Sequence, residues 1–202
     1  MIAIIDYNVG NLHNLKNALD FLGLDARIVR DPALLPEASH IILPGVGAFQ
    51  PAMARLHEAG MQEVVVERVA AGVPFLGVCV GMQLLFEVSE EDGEWPGLGL
   101  IRGRVVRFDH ALKIPQIGWN QVAFQRPDPL LAGIPDQSYF YFVHSYHARL
   151  AEPADALGLT DYGELFPAIV RRGNLWGVQF HPEKSQNNGL QLLRNFCAVR
   201  PE

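Results

Sequence analysis

A chain of 202 residues, 49% hydrophobic and 19% charged, has enough apolar material for one full core. Its formal net charge of -6 argues against a nucleic-acid binder, which carries a basic excess. No apolar run approaches the roughly 20 residues of a membrane span, and the 2 cysteines read as free thiols in a reducing cytoplasm rather than as a disulfide framework.

In chain order, residues 1–5 form a short apolar run that reads as a buried strand, and residues 6–10 supply turn chemistry. The start MIAIIDYNVGN lacks the basic residues and cleavage site of a secretory signal. Leu12, Leu15, Leu19 and Leu22 follow at helical spacing, with Gly23 as a stop. Residues 26–30 and 40–43 read as the second and third strands, the latter ending in Pro44-Gly45-Val46-Gly47. Helical patterns cover 50–71, broken near Gly60. Residues 74–78 form a fourth strand, and 80–87 read as another helix. Strands alternating with helices predict a parallel sheet with helices on both faces. Beyond the acidic turn SEEDGEWPG the pattern changes to strand-like runs at 101–108, 118–124, 138–147, 168–171 and 176–180, closed by a helix over 189–199. The expectation is a single α/β domain over residues 1–202, with a mixed, mainly parallel central sheet and antiparallel strands in its second half.

The stretch PFLGVCVGMQLLFE carries the first chemical signal. Cys79 stands between Gly77 and Gly81, where a strand turns into a helical pattern. This G-x-C-x-G spacing matches a nucleophile elbow with cysteine in place of serine. Such a turn points the nucleophile out of the sheet, and glycines without Cβ atoms let the neighbouring elements come close. Unpaired amides at a helix start stabilise a thiolate, and the Val80 amide points where an oxyanion forms. A buried structural cysteine in a glycine-containing strand end would read the same in isolation.

A thiol nucleophile needs a proton shuttle. Among 7 histidines, His181 in WGVQFHPEKS ends a predicted strand, so it reaches the sheet edge that also carries Cys79. Glu183 lies two residues on, and residues two apart in extended backbone share a face, so its carboxylate can fix the imidazole tautomer. His144 and His147 compete as bases but lack a carboxylate at such spacing. The Gly45 and Gly47 amides can face an anion, although taken by itself that loop is better read as a plain strand-to-helix turn. Cys197, among apolar residues at helical spacing, reads as an inert buried thiol. Neither a dinucleotide fingerprint nor a Cys/His cluster of zinc spacing is present, so no cofactor is expected.

A PGxG loop, then GVCVGMQLL, then HPE resembles the class I (triad) glutamine amidotransferases over essentially the whole chain. Within them IIDYNVGNLHNL, PGVGAF, PQIGWN, YFVHSYH and FHPEKS are most similar to the glutaminase subunits of imidazole glycerol phosphate synthase. The resemblance implies that Cys79 attacks the side-chain amide of glutamine, that His181 moves the proton, and that Glu183 orients His181. It implies an oxyanion hole from the amides of Val46, Gly47 and Val80, and substrate contacts from Gln83, Ser145, Tyr146 and Glu91. It further implies a partner: a cyclase subunit with a (β/α)8 barrel, docked near Asn11, Asn14, Trp119 and Lys184 and receiving ammonia. Glutaminases of pyridoxal phosphate, anthranilate or GMP synthesis, a stand-alone thiol hydrolase and a non-catalytic subunit remain as alternatives at this point.

Overall fold

The computed structural model describes residues 1–200. Its elements run β1 (Ile2–Ile5), α1 (Leu12–Phe21), β2 (Ala26–Val29), β3 (His40–Gly45), α2 (Phe49–Glu58), α3 (Met61–Ala70), β4 (Phe75–Cys79) and α4 (Val80–Gln83). They continue with β5 (Phe86–Ser89), β6 (Trp95–Pro96), β7 (Ile101–Arg107), β8 (Gln116–Phe124), β9 (Ser138–His144) and β10 (Tyr146–Leu150). The last are β11 (Ala156–Asp161), β12 (Leu165–Arg172), β13 (Leu175–Val178) and α5 (Gln186–Ala198).

A nine-stranded sheet in the order β2-β1-β3-β4-β13-β12-β11-β8-β9 is the frame. From β2 to β13 neighbours are parallel, and from β13 to β9 they are antiparallel. The residues of β1, β3 and β4 are buried throughout, which is why these segments read as unbroken apolar runs. The β1-to-β2 crossover through α1 runs opposite in direction to the β3-to-β4 crossover through α2 and α3. With right-handed crossovers this puts the two helical layers on opposite faces. Helix α1 buries Leu15, Ala18 and Leu19, and Asn11 caps it by accepting the Asn14 amide at 3.4 Å. The break near Gly60 falls as expected, with that residue left-handed at φ 66° between α2 and α3.

Several expectations are corrected. The helix read over 80–87 is a single turn, α4, followed by a strand. Leu84, Leu85 and Phe86 are all fully buried, the four residues of α4 before them are buried too, and within such a continuously buried run periodicity does not separate helix from strand. The chain instead turns at Leu84-Leu85 and enters a second sheet of order β10-β7-β5-β6, which was not expected. The strand read over 138–147 divides at Ser145: β9 stays in the large sheet, whereas β10 joins the small one. The Ser145 carbonyl accepts the Phe108 amide at 3.2 Å just where the chain changes sheet. Finally, β11 was not read at all, and α5 begins at Gln186 rather than 189.

Candidate active site

Three neighbouring strands deliver the chemistry to one edge. Gly45 ends β3 and lies in register with Cys79 at the end of β4, while β13 pairs with β4 on the other side and leads to His181. This is the carboxyl edge of the parallel strands, where open α/β sheets place their ligands.

Cys79 adopts φ 55°, ψ -114°, a left-handed conformation that costs a non-glycine residue on the order of 1–3 kcal/mol. Close packing of the turn holds it there. A Cβ on Gly81 would run into the Leu43 carbonyl, and one on Gly45 would stand 2.5 Å from the Gly81 nitrogen. The paired glycines thus let β3, β4 and α4 cross almost backbone to backbone. Because α4 has only 4 residues, its macrodipole is small, and the donors near the sulfur are individual amides rather than the end of a long helix.

His181 is 5% exposed and is fixed along its backbone as well as its ring. Its amide donates to the Tyr141 carbonyl at 2.9 Å, and its own carbonyl accepts the Ser185 hydroxyl at 2.7 Å. The Ser185 Oγ in turn accepts the Tyr141 amide at 3.0 Å, so one hydroxyl ties the turn to β9. Imidazole Nδ1 meets Glu183 Oε1 at 2.9 Å, which leaves Nε2 free for Cys79, the ring's other side-chain partner. Burial works against the imidazolium, but interaction with Cys79 and Glu183 outweighs it and raises the His181 pKa to about 10. The other two candidate bases are unsuited. Burial pushes His144 down to about 3 and lowers His147, and both ring nitrogens of His144 are occupied, by the Tyr146 carbonyl at 2.8 Å and Gln116 Oε1 at 3.0 Å.

A cavity of about 340 Å³, within the range of small-molecule sites, opens over the sulfur. Cys79 and His181 line it, with Val46, Gly47 and Val80 on one side and Gln83, Glu91, Ser145, Tyr146 and Lys184 around the remainder. Glu183 lies behind His181, outside this cavity. Glu91 does more than face the cavity: its Oε2 accepts the Phe49 amide at 2.6 Å and so caps α2, whose N-cap Ala48 has no oxygen to offer. Burial raises the Glu91 carboxyl above the usual range, and the Phe49 amide opposes that shift. Gln83 is 3% exposed, and its nitrogen is committed to the Tyr146 carbonyl at 3.0 Å and Gln179 Oε1 at 3.1 Å. Only its oxygen is left for a ligand.

The remaining expected positions divide between two sides. Asn11 and Asn14 border clefts behind the triad that also touch Glu183, the first of them very small and the second wide and open. Lys184 Nζ sits 5.9 Å over the Tyr141 ring, and Trp119, 45% exposed on β8, meets the same ring edge-on at 5.9 Å. Cys197 lies among packed residues, and burial pushes its thiol up to about 12. No group of three or more His, Cys, Asp or Glu residues suited to a metal occurs among the described residues.

Three residues at the site escaped the motif reading. Tyr7, fully buried, donates to the Pro44 carbonyl at 2.7 Å and pins the base of the PGVG loop. Ser185 ties the His181 turn to β9. Gln179, fully buried, reaches the Cys79 sulfur. Gln179 had a legible signal, an amide inside the apolar run WGVQF; the other two had none.

The sequence matches the glutamine amidotransferase class-I family over residues 3–199, and the chain belongs to that family. Among its relatives is imidazole glycerol phosphate synthase subunit HisH of Desulfitobacterium hafniense (strain Y51), 54% identical over 97% of this chain and 93% of the relative. The subunit of the same name from Sulfurimonas denitrificans is 49% identical over 99% of both chains. A crystal structure of a glutamine amidotransferase shares the fold with TM-score 0.77 at 23% identity, covering 97% of each chain. PurLQS from Thermotoga maritima does so with TM-score 0.76 at 14% identity, over 97% of this chain and 96% of the other.

Proposed function

We propose that this chain is the glutaminase subunit of an imidazole glycerol phosphate synthase. It hydrolyses glutamine to glutamate and ammonia, and the ammonia serves a cyclase that forms imidazole glycerol phosphate and an aminoimidazole carboxamide ribotide in histidine biosynthesis. The observation that carries the chemistry is the convergence of Cys79, His181 and Glu183 at one sheet edge, with the Glu183 carboxylate 2.9 Å from the ring. The relatives of about half identity over nearly full length support the choice of pathway.

The geometry suits a two-stage acyl transfer. Cys79 gives its proton to His181, and the sulfur attacks the side-chain amide carbon of glutamine. The amides of Val46, Gly47 and Val80 receive the oxyanion. His181, now imidazolium and held by Glu183, protonates the departing nitrogen, which leaves as ammonia. Water then attacks the thioester with His181 as base, glutamate departs, and the thiol is restored. Ser145 and Tyr146 take the substrate carboxylate through backbone, Glu91 takes its ammonium, and the Gln83 oxygen faces its amide. Gly47 sits at φ 89° with open space around a would-be Cβ, so the loop can reorient there, whereas Gly45 is locked by Gly81.

The partner reading rests on the resemblance and on position. Lys184 and Trp119 bracket Tyr141 at the rim, and Asn11 and Asn14 flank the Glu183 side. A (β/α)8 cyclase barrel set over this rim would receive ammonia directly. Among the described residues no helix is long and apolar enough to cross a membrane. Two unpaired thiols suit a reducing cytoplasm.

The test is glutamate release by the chain alone, with the cyclase, and with the cyclase plus its nucleotide substrate. The expected result is stimulation on the order of 10–100-fold by the liganded cyclase, the usual range for coupled sites. Equal turnover in all three mixtures, or stimulation by a different synthase alone, would contradict the proposal.

A further inference from the structure

Gln179 follows β13, two residues before His181, and is fully buried. The reaction as derived gives it no role, yet its Nε2 lies 3.9 Å from the Cys79 sulfur. Which end of this amide faces the sulfur is dictated from outside. The Tyr146 carbonyl can only accept, so Gln83 must present its nitrogen there, at 3.0 Å. That same nitrogen stands 3.1 Å from Gln179, so Gln179 must answer with its oxygen. Its N–H groups are thereby left to point at Cys79. On another side the sulfur faces the Val143 carbonyl at 3.9 Å. A protonated thiol can donate to that carbonyl. A thiolate is repelled by it and attracted by the amide. The orphaned alternative, an amide oxygen facing the sulfur, is excluded by the chain of donors.

We propose that Gln179 is a further catalytic residue that stabilises the Cys79 thiolate, its donor end held toward the sulfur by a relay running from the Tyr146 carbonyl through Gln83. The proposal rests on the reading of Cys79 as nucleophile. It also links the two halves of the site: the segment read as holding the substrate carboxylate sets the polarity of the group beside the sulfur. A hydrogen bond to an ionised acceptor is about twice as strong as a neutral one, so the contact favours the thiolate over the thiol. Donors at the reacting atom lower the barrier without tightening substrate binding, which predicts a loss in kcat rather than a rise in KM.

The probe is iodoacetamide, with alkylation of the Cys79 peptide followed by mass spectrometry across pH. Cys197, its thiol pushed up to about 12, is separated as its own peptide. The titratable groups around the sulfur are His181 with Glu183 behind it, Tyr7 and, at the cavity wall, Glu91, His144, Tyr146 and Lys184, and none is altered. Gln179→Glu keeps the shape and the bond from Gln83 but turns an acceptor to the sulfur. Gln179→Met keeps the length and removes the donor. The alkylation midpoint is expected to rise by about one pH unit or more in the first and by less in the second, with kcat reduced in both and KM for glutamine within about twofold of the parent. Midpoints of both folded variants equal to the parent overturn the proposal, and if the glutamate variant does not fold, the methionine variant alone decides. Full alkylation of Cys79 with glutamate release undiminished would instead sink the nucleophile reading itself.

Discussion

Cys79→Ser is expected to lower glutamate release from the cyclase-stimulated protein by about 10⁴-fold or more, the scale seen when a triad nucleophile is removed. The alcohol fits the space of the thiol but is a far weaker acid. The pairing that raises His181 to about 10 includes its interaction with Cys79, which an alcohol does not reproduce. The fold is expected to survive, because the elbow is held by the contacts of Gly45 and Gly81 with neighbouring backbone rather than by the sulfur. Melting temperature and turnover, measured on the same preparation, separate the two effects. Comparable release from both proteins would remove Cys79 from the mechanism.

Glu183→Gln has the second largest expected effect, a loss on the order of 10²–10⁴-fold in kcat, as when a buried carboxylate behind a catalytic imidazole is neutralised. It also changes the pH response. His181 has a folded pKa of about 10, above its ordinary value near 6.5. A group raised in this way contributes stability that is fully present below the unfolded value and is lost as pH climbs through the folded one. The variant lacks part of that contribution. Its melting temperature should therefore fall furthest below the parent near pH 6, and the gap should narrow between pH 6.5 and about 10. The alkaline limb of the rate profile, set by loss of the imidazolium that protonates the departing amide nitrogen, should move to lower pH. A gap that widens toward alkaline pH, or a limb that does not move, would show that Glu183 does not sustain the imidazolium.

The active edge could be read from the sequence because each part is local. The PGVG loop, the G-x-C-x-G turn and the HPE segment each combine a strand end with residues that stop a strand, so each announces its own place. Parallel pairing of β3, β4 and β13 then brings them together without any further signal. The elements that were misread depend on distant partners. Residues 84–86 carry a helical look in isolation, and only the second sheet makes a strand of Phe86–Ser89. Ser145 divides an unbroken β pattern because Phe108 captures its carbonyl. Within the site, Glu91 sits in an acidic run that reads as a solvated turn, yet it reaches 42 positions back to cap α2. Gln83 is expected at the substrate, but its burial and its bonds to the Tyr146 carbonyl and Gln179 have no mark in the sequence. Tyr7 donates to a backbone carbonyl 37 positions on, and the Ser185 hydroxyl accepts a backbone amide 44 positions back; no spacing rule marks such contacts.

Acid quenching of the cyclase complex during turnover, followed by peptide mass spectrometry, tests the covalent core of this account most directly. A γ-glutamyl group on the peptide that contains Cys79, absent from the Cys197 peptide and lost in Cys79→Ser, is the predicted result. Sustained glutamate release with Cys79 never acylated would contradict it.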